Sequence, residues 1–451
     1  MSKLRAGAAR MCITPSIGCH IAGYMEDRIA TDILDDLYAK ALVLENDRTS
    51  LAIVICDLIA LERSDIDLAK QRAQERTGFP SENILIAATH THYGPNTTNL
   101  LGVARDERYM DEVAERIAGA VKLAQNRLVP AEVGVASGWC PGETFNRRWW
   151  MKDGTVRDNF AIGYENPDRV RPAGPTDPEI VVLVVRDKQR RPICLLANYS
   201  LHYVGGPYDL AISADYFGHF DRAIQSLAGY RFVGIMANGC CGDVNNIDIS
   251  RPRPEMPYPT YQAERVANVL AAAVYGAWQG LRDFDYCDEP ALAAATETVM
   301  FRRREPSEQQ VQLARAMVEG RIKPDPTAPR FAPLEFAKYD LLYARELLAV
   351  LEEPVERPTP VMALRVGELG IVGLGGEMFV QYGLQIKEQS PFKKTMVIEL
   401  ANDYLGYCPT DQALQEGSYE TVLARSAKAA PGTEGAMVLG ALTALRRVAA
   451  C

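Results

Sequence analysis

Short apolar runs rich in Val, Ile and Leu recur along the chain, separated by polar stretches with helical spacing. Residues 51–61 form one such run, with Asp57 inside it, and 84–90 form another, bounded by Pro80 and Gly94. Runs this short and this apolar predict strands buried on both faces. Between them, 64–77 has helical spacing and opens on Ser64-Asp65-Ile66-Asp67, residues suited to a helix N-terminus. Strand, helix and strand in succession predict a βαβ unit with a parallel pair. Residues 37–45 read as a further strand and 106–124 as a helix.

The section 132–175 has no clear period and contains Trp139, Trp149 and Trp150. It is predicted to be a long irregular segment, ordered because of its tryptophans and a place to look for function. Residues 179–186 and 192–199 predict a hairpin. Helices are expected at 215–228 and 261–279, with a strand at 231–236 and a proline-rich loop at 252–259. Beyond these, 289–301 reads as a strand, and 308–319 and 334–351 as helices around the proline-rich 324–333. Residues 360–374 predict a hairpin turning at Gly367-Glu368. A helix follows Glu377, 395–400 is the last strand, and 435–448 is helical. No solenoid period is present. The pattern predicts an α/β fold of layered mixed sheets flanked by helices, in a single unit spanning residues 1–451.

Candidate chemistry gathers where the apolar runs stop. The chain has five histidines: His20, His90, His92, His202 and His219. Residues two apart on a strand share a face. His90 and His92 are therefore expected side by side at a strand's carboxyl end, where open α/β sheets place their sites. His202, the stretch Gly242-Asp243-Val244-Asn245, Glu377 and Tyr407 also follow apolar runs, so a shared sheet system would bring them to one rim. His90, His202 and Glu377 form a donor set of the kind that holds catalytic zinc. Zinc there would polarise a carbonyl and lower the pKa of water towards about 7. Each residue also has an ordinary reading. The histidine pair can be hydrogen-bonded turn residues, and His202 a satisfied core histidine. Glu377 can cap the helix that follows it. Asp243 and Asn245 can be turn formers, and Arg147 a loop cation.

Composition narrows the partners. Lys and Arg total 49 against 58 Asp and Glu, a net charge of −9, and no basic block is present. Nucleic acid and anionic membrane are therefore not expected partners. The first ten residues lack the apolar core of a signal peptide, and no apolar run reaches the length of a membrane span. The ten cysteines are scattered, with Cys240 and Cys241 adjacent and no Cys-x-x-Cys. The expectation is a cytoplasmic protein without stable membrane association, its cysteines reduced and mostly buried. A thiolate zinc site is not expected, and nothing in the sequence sets an oligomeric state.

Taken together, several stretches make the chain resemble the catalytic domain of the neutral/alkaline, non-lysosomal ceramidase family. They are Gly7-Ala-Ala-Arg-Met-Cys-Ile-Thr-Pro15, Gly23-Tyr24, Leu37-Tyr-Ala-Lys-Ala-Leu-Val-Leu44, Thr89-His-Thr-His-Tyr-Gly-Pro95, Asn146-Arg147, His202, Gly242-Asp243-Val244, Gly376-Glu377 and 404–420. The resemblance runs along most of the chain. It implies a Zn²⁺ amidase in which His90, His202, Glu377 and Tyr407 bind the metal. It further implies that His92 acts as acid/base or orients the carbonyl, that Arg147 and Tyr419 face the substrate, and that Asp243 supports them. Three departures are expected to matter. Asn245 stands where the family's ceramidases carry a serine. The chain stops soon after the tyrosine stretch, without the C-terminal β-sandwich of ceramidases. No secretion signal is present.

The expected function is zinc-dependent hydrolysis of a C–N amide bond in a small soluble molecule, ceramide itself being disfavoured. Trp149 and Trp150 are candidates for the pocket wall. The alternatives are a metal-dependent esterase, a lyase or isomerase acting on a sugar or hydroxy acid, and a non-enzymatic binding protein on the same scaffold.

Overall fold

The computed structural model describes residues 3–206, 208–229 and 231–451. Its framework is two stacked sheets with helices on both outer faces. The first sheet is built from β1 (Arg5–Cys12), β2 (Tyr38–Glu45), β3 (Ser50–Cys56), β4 (Ile84–Ala88), β5 (Val129–Trp139), β6 (Glu179–Asp187), β7 (Pro192–Tyr199) and β8 (Val233–Asn238). Its spatial order is β8-β7-β6-β5-β1-β2-β3-β4. The second sheet follows, in the order β9 (Leu292–Arg302), β10 (Glu356–Val366), β11 (Leu369–Gly373), β12 (Lys394–Ile398).

The inner faces of the two sheets make one core, in which Leu42, Ile53, Leu183 and Ile235 pack with Leu364, Ile371 and Met396. The outer face of the first sheet is covered on one half by α1 (Arg63–Thr77) and α2 (Glu107–Asn126) and on the other by α3 (Asp215–Ala228) and α4 (Tyr261–Gly280). Then come α5 (Glu308–Val318) and α6 (Asp340–Val350), which form a small satellite core of their own. Finally α7 (Val380–Gln389) and α8 (Thr433–Ala449) cover the second sheet. Strands covered on both faces explain why the runs read as continuously apolar rather than alternating.

Within the two sheets three strand pairs are parallel: β3/β4, β7/β8 and β11/β12. The remaining pairs of the two sheets are antiparallel. Each parallel pair is joined through a helix, α1, α3 or α7 in turn. The two edges of the first sheet meet at a seam made by residues 399–402. Glu399 N–H donates to Asn238 O at one edge, while Ala88 N–H donates to Leu400 O and Asn402 N–H to Ile86 O at the other. Asn238 Nδ2 also donates directly to Thr89 O at 2.8 Å. The seam covers edges that would otherwise expose unpaired main-chain groups.

Several details differ from the sequence reading. Strand β4 stops at Ala88, and His90 has φ 67, in the left-handed region. The histidine pair therefore lies in a turn beyond the strand, not on one strand face. The section 132–175 is not irregular throughout. Val129–Trp139 is a long central strand, and Arg148–Met151 pairs with Val156–Asp158 and Arg169–Pro172 in a small sheet. Helix α1 starts after Glu62 without a side-chain cap, so Ser64 lies inside it. The stretch 334–351 divides into a 3₁₀ turn, Leu334–Tyr339, with a kink at Phe336, and α6. Among the described residues no helix is long and apolar enough to cross a membrane, and all ten cysteines are free.

Candidate metal centre and cavity

The carboxyl ends of all six parallel strands converge. From β4 come His90 and His92, and from β7 comes His202. The loop after β8 carries Cys241, Asp243 and Asn245. From β11 comes Glu377, and the seam after β12 leads to Tyr404 and Tyr407. Even the loop after β3 takes part, because Ile59 O accepts His90 Nδ1–H at 2.7 Å. The two-residue parallel ladder Glu377–Met378/Tyr407–Cys408 sets Glu377 directly beside Tyr407.

His90, His92 and His202 are buried, with ligating atoms within 4.8 Å of one another. His90 Nε2 lies 3.1 Å from His92 Nε2 and 3.2 Å from Glu377 Oε2. The tautomers follow from the partners. A carbonyl only accepts, so the bond to Ile59 O puts the proton of a neutral His90 on Nδ1 and leaves Nε2 bare. His202 Nδ1 faces Cys241 O at 3.3 Å, which leaves its Nε2 bare as well. Glu377 Oε1 accepts from Tyr404 Oη at 2.9 Å. Its Oε2 is buried with no hydrogen bond among the described residues.

The imidazole nitrogens of His90, His92 and His202 thus cluster, and the Glu377 carboxylate faces His90 at their edge. That is the donor set a divalent cation satisfies, and backbone carbonyls holding the far ring nitrogens are the usual support. The residues fit a metal ion. Glu377 is not a helix cap: Val380 N–H, at the start of α7, donates instead to Asp243 Oδ1 at 2.8 Å.

The electrostatics agree with that arrangement. Burial first, then the neighbouring cationic groups, push His92 and His202 well below the usual imidazole value, so both are neutral. Burial would raise the Glu377 carboxyl, but the charge His90 carries when protonated, the Tyr404 hydrogen bond and Arg147 outweigh it and keep it below the usual range. Burial also opposes the charge on Arg147. Tyr407, Glu420 and Asp158 more than compensate, and the guanidinium stays cationic. Burial raises the phenols of Tyr407 and Tyr419 against the pull of Arg147, so both keep their protons.

Two hollows flank these residues. A cavity of about 350 Å³ is lined by His92, Arg147, His202, Asn245, Tyr407 and Tyr419, with walls from Tyr24, Phe160, Tyr203, Phe336 and Tyr339. A smaller one, about 50 Å³, lies on the side of His90, Glu377 and Tyr404; His92, Tyr407 and Tyr419 border both. Arg147 Nε donates to Glu420 Oε1 at 2.6 Å, and its Nη2 is buried without a hydrogen bond among the described residues. Tyr419 stands 5.7 Å, ring to ring, from Tyr407.

Asn245 is locked. Its Oδ1 accepts from Asn159 Nδ2 at 2.9 Å and from Ile247 N–H at 3.0 Å, while its Nδ2 donates to Asn159 Oδ1 at 2.8 Å. The Ile247 N–H fixes which end is oxygen, leaving one N–H of Asn245 uncommitted. Asp243 does not line the cavity. Its Oδ2 accepts from Asn146 Nδ2 at 2.8 Å and its carbonyl from Arg147 N–H, so it holds the segment that carries Arg147.

The structure thus brings together His90, His92, His202, Glu377, Tyr407, Arg147, Tyr419 and Asn245, with Asp243 behind them. Trp149 and Trp150 are not part of the cavity wall; they belong to the small sheet of Arg148–Met151, and Arg171 lies over Trp150. Sequence reasoning missed Tyr203, stacked on His92 with centroids 3.8 Å apart, as well as Tyr404, Glu420 and Glu399. Tyr203 and Glu420 each adjoin a candidate residue in the sequence, and Glu399 is a lone acid inside an apolar run, which was the available signal. Gly23 was noted only as part of the resemblance. At φ +88, a Cβ on it would fall 2.4 Å from the His92 ring, so glycine is what lets this loop lie on the imidazole.

No family model matches the chain, and no curated protein matches it. Solved structures do. Neutral ceramidase from Pseudomonas aeruginosa superposes with a TM-score of 0.72 at 19% identity, covering 99% of this chain and 75% of that one. A ceramidase complexed with C2 gives 0.73 at 17% identity, covering 99% and 76%. The fold is ceramidase-like.

Proposed function

We propose that this chain is a zinc-dependent hydrolase that cleaves a C–N amide bond in a small soluble substrate. The observation that carries the reading is the buried cluster of His90, His92 and His202, with ligating atoms within 4.8 Å of one another and Glu377 Oε2 3.2 Å from His90 Nε2, beside the cavity of about 350 Å³. The ceramidase-like fold supports the choice of an amide. His90, His202, Glu377 and Tyr407 would hold the metal. Zinc bound there supplies Lewis acidity, polarising a carbonyl and activating water near neutral pH.

The protein's own groups do the rest. His92 is neutral, and its Nε2 is 3.1 Å from that of His90. It is placed to accept a proton from the attacking water and return it to the leaving amine. Arg147 keeps its charge and has Nη2 to spare, and Tyr419 keeps its phenol proton; both would donate to the oxygen where negative charge develops. Asn245 offers the cavity one N–H, and Asp243 steadies Arg147.

The test is metal analysis of wild type, His90→Ala and His202→Ala purified from zinc-replete medium. Wild type without stoichiometric metal would sink the reading. His92→Ala should keep zinc and lose turnover. Loss of zinc from His92→Ala instead would make His92 the third nitrogen donor. A substrate panel scored for released amine and released alcohol separates amidase from esterase. Turnover with neither product points to lyase or isomerase work on a sugar or hydroxy acid, and retained zinc without any turnover favours a binding protein.

A further inference from the structure

Glu399 lies at the seam, one residue past the end of β12, and is fully buried. No cation pairs with it among the described residues. Its Oε2 accepts two main-chain N–H groups, from Cys241 and from Met378, each at 3.0 Å. Its Oε1 faces Cys241 Sγ at 2.7 Å. Both tethered residues adjoin the donor set. The carbonyl of Cys241 faces His202 Nδ1, and Met378 is the next residue after Glu377. The two loops are already in close contact, with Gly242 N–H donating to Met378 O at 2.8 Å. A Cβ on Gly242 would fall 2.5 Å from Glu377 O.

A buried carboxyl group is costly to keep unless its oxygens are hydrogen-bonded, and burial pushes this one well above the usual carboxylate range against the pull of the Cys241 and Met378 N–H groups. This one spends its bonds on the loop that orients a candidate imidazole ligand and on the loop that carries the candidate carboxylate ligand. We propose that Glu399 is a positioning residue, fixing the separation of His202 and Glu377 by tying Cys241 to Met378 across the seam. The proposal rests on the metal reading above but concerns the shape of the donor set, which exists before any metal binds.

The test compares wild type with Glu399→Gln, Glu399→Ala and, as a control for general destabilisation, Val113→Ala in the core beneath α2. Zinc affinity is measured by chelator competition, and the His202 tautomer by ¹⁵N NMR of the histidine rings in metal-free protein. Glutamine can present its one oxygen to both main-chain N–H groups and its amide to the sulfur, so Glu399→Gln should bind zinc within about threefold of wild type. Glu399→Ala should bind about 10–100-fold more weakly, the usual effect of losing support behind a ligand, with His202 relaxed into a mixture of tautomers. If Glu399→Ala does not fold, Glu399→Asp takes its place: one methylene shorter, it should fall about tenfold below Glu399→Gln.

The proposal is overturned if the alanine or aspartate variant matches glutamine in zinc affinity and His202 signal. It is also overturned if Val113→Ala weakens zinc binding as much. Should wild type bind no zinc, the functional reading fails, while the metal-free NMR comparison still decides the positioning role.

Discussion

The two histidines at the centre of the site are held by different means. His90 is fixed within its own βαβ unit. Its ring donates to Ile59 O at 2.7 Å, its main-chain N–H to Leu58 O, and its backbone occupies the left-handed region at φ 67. His202 depends on groups from elsewhere. Its ring faces Cys241 O at 3.3 Å, a residue tethered by Glu399 from the other sheet. The turn that follows it hangs on Asp215, whose carboxylate accepts from Val204 N–H at 3.0 Å and Gly205 N–H at 2.7 Å, and also from Tyr216 N–H at 2.6 Å. One arm has its imidazole secured by local main chain. The other is only as firm as the docking of the two sheets and a pair of buried acids.

That contrast can be broken most severely at Asp215. Asp215→Ala strips the acceptor from three N–H groups, those of Gly205 and Tyr216 buried and that of Val204 half-buried. At about 1–3 kcal/mol for each group left unpaired, it should lower unfolding free energy by about 3 kcal/mol or more in chemical denaturation. Among the described residues no single side chain plays that part on the His90 arm. Gly242→Ala comes next. Its Cβ would press on the Glu377 carbonyl, a main-chain clash that should cost about 1–3 kcal/mol and weaken the proposed zinc binding by spreading the two loops. An alanine variant with wild-type stability and affinity would mean the loops give way freely.

The third effect depends on pH. Burial pushes the Asp215 carboxyl up to about 6, against the pull of its three N–H donors. The folded state therefore holds a proton that the unfolded chain releases near pH 4, and stability from this group falls as pH rises from about 4 to 6 and then levels off. Relative to Asp215→Asn, wild type should lose on the order of 2 kcal/mol across that window; a flat difference would remove the titration from the account. The smallest effect sharpens the comparison at His90 itself. Glycine tolerates φ 67 and alanine does not, so His90→Gly should be more stable than His90→Ala by about 1 kcal/mol. At His202, whose φ is not positive, the glycine variant should show no such advantage.

Much of this was legible in the sequence because buried strands announce themselves. The parallel unit 51–90, the hairpins 179–199 and 360–374, and the gathering of His90, His202, Glu377 and Tyr407 at strand ends all follow from apolar runs stopping at polar residues. What was not legible depends on which strands are neighbours. The pairing of His90 with His92 comes from a left-handed turn rather than strand alternation, and no local pattern marks φ 67 at a histidine. The place of Val129–Trp139 at the centre of a sheet was hidden because its exposed positions, Val129 and Trp139 among them, mix polar and apolar types. The tryptophans drew attention to 132–175, but the walls of the cavity come from Tyr24, Phe160, Tyr203 and the turn that carries Phe336 and Tyr339, four separate segments. The grip of Glu399 on Cys241 and Met378 spans three separate parts of the chain, so spacing carries no trace of it.

The three parallel pairs also impose an order in time. Each needs its crossover helix in place before the second strand can dock, and the contact of His90 with Glu377 closes one of the longest loops in the molecule. Contacts between residues so distant in sequence form late in folding, because the chain entropy they remove is not repaid until the intervening units have settled. During synthesis the histidines therefore emerge long before the carboxylate they face. Any ion met at that stage would find an incomplete set, and only the finished two-sheet molecule presents all the candidate donors together.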